Sequence, residues 1–332
     1  MTTATSSIVR EDLMIPSGAP GIELFVRNKR RADLSAFSPE RTVLFVHGSS
    51  YPAETAFDLT LGQGPDGVSW MDHAAARGFD AYLVDVRGYG ASTRPPEMDQ
   101  PAADNPPVVR TETAVQDIGA AVRFILERRG LERLCLVGWS WGTTLMGAYT
   151  AANGGTVHKL ALLAPQWLRT TPSASDMGEL LGAYRAIPRA SARERWLRGV
   201  LEDKQAALLP PGWFEAWQKA TWATDPWGAA QNPPVLRAPN GTVQDSREFW
   251  ATGTPFYDPG RIEVPTLIVH AEWDQDLPLD MARTYFGLLV NATYRRWVEI
   301  GEGTHSLLLE KNRMQVLGAV HGFLEEDFTP AA

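Results

Sequence analysis

The sequence predicts an α/β chain, a mostly parallel central sheet flanked by helices with a helical segment inserted between two of its strands. Short apolar runs, amphipathic stretches of helical period between them, and one long break in that alternation carry the prediction. Around Leu13 and over residues 22–26 the pattern suits an antiparallel pair leading into the sheet. Residues 42–46, 81–85, 134–137, 160–163 and 266–269 read as buried strands, and 294–300 as one more. Val115, Ile118, Val122, Ile125 and Leu126 form one apolar stripe of a helix over 114–129, which Gly130 is placed to stop. Residues 143–152, 279–289 and 314–324 read as further helices.

Residues 166–260 break the rhythm. They hold amphipathic helical stretches, such as 190–201 and 213–222, and no convincing strand. Seven of the chain's 12 tryptophans fall here, and ten basic residues balance ten acidic ones. The expected organisation is a core of residues 1–165 and 261–332 with a helical, Trp-rich cap over 166–260.

Composition narrows the function classes. The 332 residues carry 31 Lys and Arg against 39 Asp and Glu, a net charge of −8. That balance argues against nucleic acid or an anionic membrane as the main partner. A single cysteine, Cys135, excludes an intramolecular disulfide framework and a Cys-rich metal site. No apolar run reaches the ~20 residues of a membrane span. Residues 1–20 lack the basic-then-apolar order of a secretory signal. The expectation is a soluble, cytoplasmic protein.

Gly138-Trp-Ser-Trp-Gly142 centres a Gly-x-Ser-x-Gly pattern on Ser140, between a strand and a helix. A serine on so sharp a turn must take a strained backbone, and the turn lifts its Oγ to the carboxyl edge of the sheet. A serine hydroxyl needs a base. Of six histidines, His47 and His270 end apolar strands and suit structural or loop-orienting roles, while His73, His158 and His321 lie in or beside helices as solvated or cap-contacting groups. His305 sits in a Gly-rich loop after a strand, a mount from which a base could reach Ser140. An acid must then fix the imidazole tautomer. Asp274 is the choice, with Asp276 and Glu272 as competitors in the same loop.

The order Ser140, Asp274, His305 resembles that of the α/β-hydrolase fold family, unlike the chymotrypsin and subtilisin orders. Val46-His47-Gly48 resembles the family's His-Gly turn, Asp85-Val-Arg-Gly-Tyr-Gly-Ala-Ser92 its Asp-x-Arg-Gly-x-Gly-x-Ser segment, and 265–278 its strand-plus-acid segment, with Ala271 where Gly is usual. The resemblance covers about residues 11–323 and weakens over 166–260. It implies a Ser140–His305–Asp274 triad, an oxyanion hole from the amides of Ser49 and Trp141, an acyl-enzyme, and no metal or organic cofactor. Ser140 stands where the family's haloalkane dehalogenases and epoxide hydrolases have aspartate. Trp141 is similar to the elbow of proline iminopeptidases, but Trp139 departs from their pattern and no acidic cluster is dedicated to a substrate ammonium.

The expected substrate is a small carboxylic ester with a bulky or aromatic group, a monoalkyl phthalate being one such monoester. A proline iminopeptidase-like aminopeptidase and a non-catalytic binding module are the alternatives. Ser50 on the long loop 48–70, with Trp139, Trp167, Trp213, Trp217 and Trp222, are the expected substrate contacts. Arg189, Arg193, Arg195 and Arg198 suit a solvated face, though one of them could bind a substrate carboxylate.

Overall fold

In the computed structural model, residues 7–328 are described except 63, 65, 66 and 177. The outermost residues of the expected core, 1–6 and 329–332, and part of the loop 48–70 therefore lie outside the described residues. Two long strands open the chain: β1 (Ile8–Pro16) and β2 (Glu23–Arg31), antiparallel with Leu13 opposite Val26. β3 (Thr42–Val46), β4 (Asp80–Val84) and β5 (Leu134–Trp139) follow, then β6 (Val157–Leu163). A separate antiparallel ribbon comprises β7 (Tyr184–Pro188) and β8 (Val235–Pro239), and β9 (Thr266–Ala271) and β10 (Arg295–Ile300) complete the strands. The main sheet runs β1-β2-β4-β3-β5-β6-β9-β10 and is parallel from β4 onward. Every residue of β3, β4, β5 and β9 is buried, as expected of parallel strands covered on both faces.

The helices are α1 (Ala53–Phe57), α2 (Trp70–Ala76), α3 (Thr111–Arg129), α4 (Trp141–Asn153), α5 (Ala192–Trp196), α6 (Glu202–Leu208), α7 (Trp213–Ala223), α8 (Pro226–Ala229), α9 (Gly241–Glu248), α10 (Leu279–Leu288) and α11 (Arg313–Glu325). Gly130 ends α3 with φ at 63°, the left-handed C-terminal stop its position implied. The Asp85–Ser92 segment is a knot of buried polar bonds. Asp85 accepts from the backbone N–H groups of Ala53 and Ala91 at 2.8 and 3.1 Å. Ser92 donates to the Asp85 carbonyl and accepts from the N–H of Phe25. Arg87 pairs with Asp117 of α3 at 2.5 Å. The segment thereby welds the β4 end to β2, α1 and α3.

Three expectations change. The inserted stretch is not strandless, because β7 and β8 pair within it. Each strand is five residues long and they lie about fifty residues apart in sequence, so no local period announces them. The helix expected over 190–201 is one short α5, with Gly199 at φ 82° beyond its end. His321 is buried rather than solvated, and accepts the indole N–H of Trp70 at 3.1 Å.

Candidate active site

Ser140 joins β5 to α4 with φ 57° and ψ −123°, a conformation that costs an L residue on the order of 1–3 kcal/mol. Close packing holds it there. A Cβ on Gly142 would stand 2.5 Å from the Val46 carbonyl oxygen, and one on Gly138 would stand 2.4 Å from the Gly142 carbonyl oxygen. Only glycine fits at either place, and that is the physical content of the Gly-x-Ser-x-Gly pattern.

His305 Nε2 lies 2.9 Å from Ser140 Oγ, and its Nδ1 lies 2.9 Å from Asp274 Oδ2. The other carboxylate oxygen, Asp274 Oδ1, accepts the N–H groups of Asp276 and Leu277 at 3.0 and 2.9 Å. The acid is thus locked by the turn that follows it. Burial opposes charge on the imidazole, yet the Asp274 carboxylate, by charge and hydrogen bond, and Asp276 nearby hold the pKa of His305 above 6.5. Asp276 faces away, paired with Arg195 at 2.8 Å and Arg198 at 3.6 Å. Glu272 accepts the Glu302 N–H at 2.9 Å. The structure therefore brings Ser140, His305 and Asp274 into one chain and leaves the competing acids outside it.

Opposite the histidine runs the turn after β3. A Cβ on Gly48 would stand 2.9 Å from the Ser140 Cβ, so the turn passes directly over the serine. His47 Nε2 accepts the Val86 N–H at 3.1 Å, which leaves Nδ1 to donate to the Gly48 carbonyl at 2.6 Å. Burial keeps this ring neutral, its pKa pushed down to about 4. The Gly48–Ser49 peptide is planar and trans, so pinning its carbonyl fixes the direction of the Ser49 N–H. Tyr89 Oη and Arg185 Nη2 hold the Ser49 carbonyl at 2.8 and 2.7 Å. Trp141 is the first residue of α4, where an N–H has no partner within the helix. Its indole is fully buried and donates to Thr111 Oγ1 at 3.0 Å.

The remaining expected contacts separate. Trp139 donates its indole N–H to the His305 carbonyl at 2.9 Å and lies beside the imidazole, with ring centroids 5.5 Å apart. Ser50 Oγ accepts from Arg185 and Arg195. Trp167 packs on Tyr257 and Tyr285. Trp217 and Trp222 join Tyr51, Trp196 and Phe214 in an aromatic cluster, and Trp213 lies against Arg313. A cavity of about 720 Å³ lies between residues 102–103 and the inserted stretch, and none of these tryptophans lines it. Its walls include Tyr184, Arg185, Ile187, Arg195, Arg198 and Asn240.

Sequence reasoning missed Arg185, Tyr89 and Glu310, while His47 does orient the loop that follows it. Tyr89 sits in a motif already singled out, and that was its only signal. Glu310 is fully buried, accepts from the Thr304 N–H and hydroxyl beside His305, and accepts the Trp196 indole N–H at 2.7 Å. Among the described residues, no group of three or more His, Cys, Asp or Glu is placed to hold a metal, and no helix is long and apolar enough to cross a membrane.

A parallel sheet with a strained serine elbow, a histidine loop and an acid turn at its carboxyl edge defines a hydrolase-type α/β protein. The chain belongs to the alpha/beta hydrolase fold family, whose model matches residues 42–312. It is similar in structure to 2-hydroxy-6-oxo-6-phenylhexa-2,4-dienoate hydrolase from Rhodococcus sp. strain RHA1, at 17% identity and TM-score 0.61 over 95% of this chain and 98% of that one. Bromoperoxidase from Bacillus anthracis matches at 18% identity and TM-score 0.59, over 95% and 100% of the two chains. A thermophilic esterase from Thermogutta terrifontis matches at 17% and 0.56, over 95% and 98%. At these identities the likeness is one of fold.

Proposed function

We propose that the protein is a serine hydrolase of carboxylic esters carrying a bulky or aromatic group. Ser140 is the nucleophile, His305 the general base and acid, and Asp274 the residue that orients His305. The observation that carries the reading is the unbroken relay Ser140 Oγ–His305–Asp274, mounted on a strained elbow. His305 Nε2 takes the Ser140 proton as Oγ attacks the ester carbonyl, and the oxyanion forms between the Ser49 and Trp141 N–H groups. The proton then passes to the leaving alcohol. Water, deprotonated by the same imidazole, releases the acid and restores Ser140. Residues 166–260 act as the cap that covers the rest of the substrate.

Chromogenic short-chain esters, assayed with the wild type and Ser140→Ala, test this. Turnover that vanishes in the variant is expected, together with stoichiometric labelling of the wild type by a fluorophosphonate. Unchanged ester turnover in Ser140→Ala would overturn the assignment. Inertness to both reagents would indicate a binding module, and release of an amino-terminal residue from peptides instead of ester cleavage would indicate an aminopeptidase.

A further inference from the structure

Two guanidinium groups meet on Ser50 Oγ, those of Arg185 at 3.0 Å and Arg195 at 3.4 Å. They differ in how their charge is balanced. Arg195 has a carboxylate partner, Asp276 at 2.8 Å, which Arg198 shares at 3.6 Å. Arg185, from β7, donates to the carbonyls of Ser49 and Pro239 and to Ser50 Oγ, all neutral acceptors. Among the described residues no carboxylate pairs with it. Around it stand the Arg195 cation and the neutral hydroxyls of Tyr51 and Tyr89, and burial pushes its guanidinium down to about 10. Glu179 and Glu194, on the same cavity, are exposed and bond neither arginine. A half-buried cation beside a second cation is costly to maintain without a counter-ion. Three neutral oxygens could have been satisfied by an uncharged donor, so the bonds alone do not account for the charge.

Position gives the charge a use. Arg185 lines the 720 Å³ cavity, a volume within the range of small-molecule sites, and touches the turn that passes over Ser140. We infer that Arg185 is the anchor for a free carboxylate on the substrate, so that the ester hydrolysed is a half-ester or another ester-acid rather than a neutral ester. Asp276 is shared by Arg195 and Arg198 and so has no charge to spare for Arg185, whose single guanidinium suits a carboxylate monoanion. This rests on the ester-hydrolase reading and specifies its substrate class. It also corrects which arginine matters: the α5 arginine nearest the site is engaged by Asp276, and the free charge comes from the ribbon strand before it.

The test uses pairs of probes that differ only in charge: nitrophenyl hydrogen glutarate against nitrophenyl methyl glutarate for an acyl-side carboxylate, and acetoxybenzoate against methyl acetoxybenzoate for an alcohol-side one. In at least one pair the wild type should favour the acid by about tenfold or more in kcat/KM. Arg185→Gln should reduce that preference to within about twofold, losing less on the neutral member, while Arg185→Lys retains part of it. A purely structural role on the Ser49 turn would lower both members together and leave the ratio intact, which overturns the inference. So would equal kcat/KM within both pairs of the wild type, a result that leaves the hydrolase reading standing. Should Arg185→Gln not fold, competitive inhibition of the wild type by glutarate but not by glutaramide decides, and its absence counts against the site. If no ester is turned over and no fluorophosphonate labels Ser140, the hydrolase reading fails. Calorimetric binding of nitrophenyl hydrogen glutarate to the wild type and to Arg185→Lys then reads the anion site alone, and failure to bind rejects it.

Discussion

At His305, the proposed base, two opposing effects set the pH at which the ring is neutral. Burial disfavours the imidazolium, while the carboxylate of Asp274, aided by Asp276, favours it and leaves the pKa above the ordinary 6.5. A base must be neutral to accept the Ser140 proton, so kcat/KM should rise with pH through an inflection above 6.5. Asp274→Asn removes the chief stabiliser of the imidazolium and favours the wrong tautomer. It should lower kcat by about 10⁴ and move the inflection down. Asp276→Asn should leave most of kcat, because that carboxylate bonds Arg195 and not the imidazole. A pH–rate profile of the three proteins checks both statements, and the large loss falling on Asp276→Asn would invert the assignment. Ser140, Asp274 and His305, the proposed relay, each sit on a local signal: a glycine-flanked turn, the residues just after a strand, a Gly-rich loop. Arg185 was not legible, since nothing near Tyr184 or Pro188 in sequence says that Ser49 lies beside it.

Between elements, two of the points at which the inserted stretch meets the core can be tested for stability. Arg110, the residue before α3, offers no side-chain cap, and Asp245 of α9 supplies one by accepting the Thr111 N–H at 2.6 Å while also pairing with Arg110. Asp245→Ala should cost about 1–2 kcal/mol, read as a lower urea midpoint, and Asp245→Asn less. The second point is Glu310, which joins Trp196 of α5 to Thr304 beside His305. Burial raises its carboxyl pKa to about 7, against the hydrogen bonds it accepts. The sign follows from the direction. A carboxyl raised in the folded state is favoured protonated, so its cost is absent below 4.5 and grows until pH passes about 7. The stability of the wild type relative to Glu310→Gln should therefore decline by about 3 kcal/mol over that range, and a pH-independent difference would remove Glu310 as the titrating group. Neither contact has a sequence signature, because a cap or a bridge supplied from a hundred residues away leaves no local pattern.

For the whole molecule, selectivity belongs to what surrounds the relay. In the proposed reaction the sheet's parts address only the ester carbonyl and its oxygens, so discrimination must come from the surfaces that cover the rest. Bulky or aromatic esters should be preferred to acetate esters, mainly through KM, and equal kcat/KM across an ester panel would deny the inserted stretch that role. Trp217 has a different part. At 1% exposure, in edge contact with Tyr51, Trp196 and Trp222, it is packing that fastens the inserted stretch to the turn after β3. Trp217→Ala should lose about 3–5 kcal/mol of stability in urea unfolding while leaving the ranking of esters unchanged.

The sequence by itself determined the sheet, its crossover helices, the inserted stretch and the order of Ser140, Asp274 and His305. Those features rest on hydrophobic period, glycine placement and residue order, which act over a few residues and survive without a partner. Only the tertiary structure decided that β7 pairs with β8, that Trp217 and Trp222 pack on each other and on Tyr51, and that Arg195 has a carboxylate partner while Arg185, among the described residues, has none. Each of these is decided by residues far apart in the chain. Burial and charge balance are properties of a residue's neighbours in space, and the linear pattern does not name them.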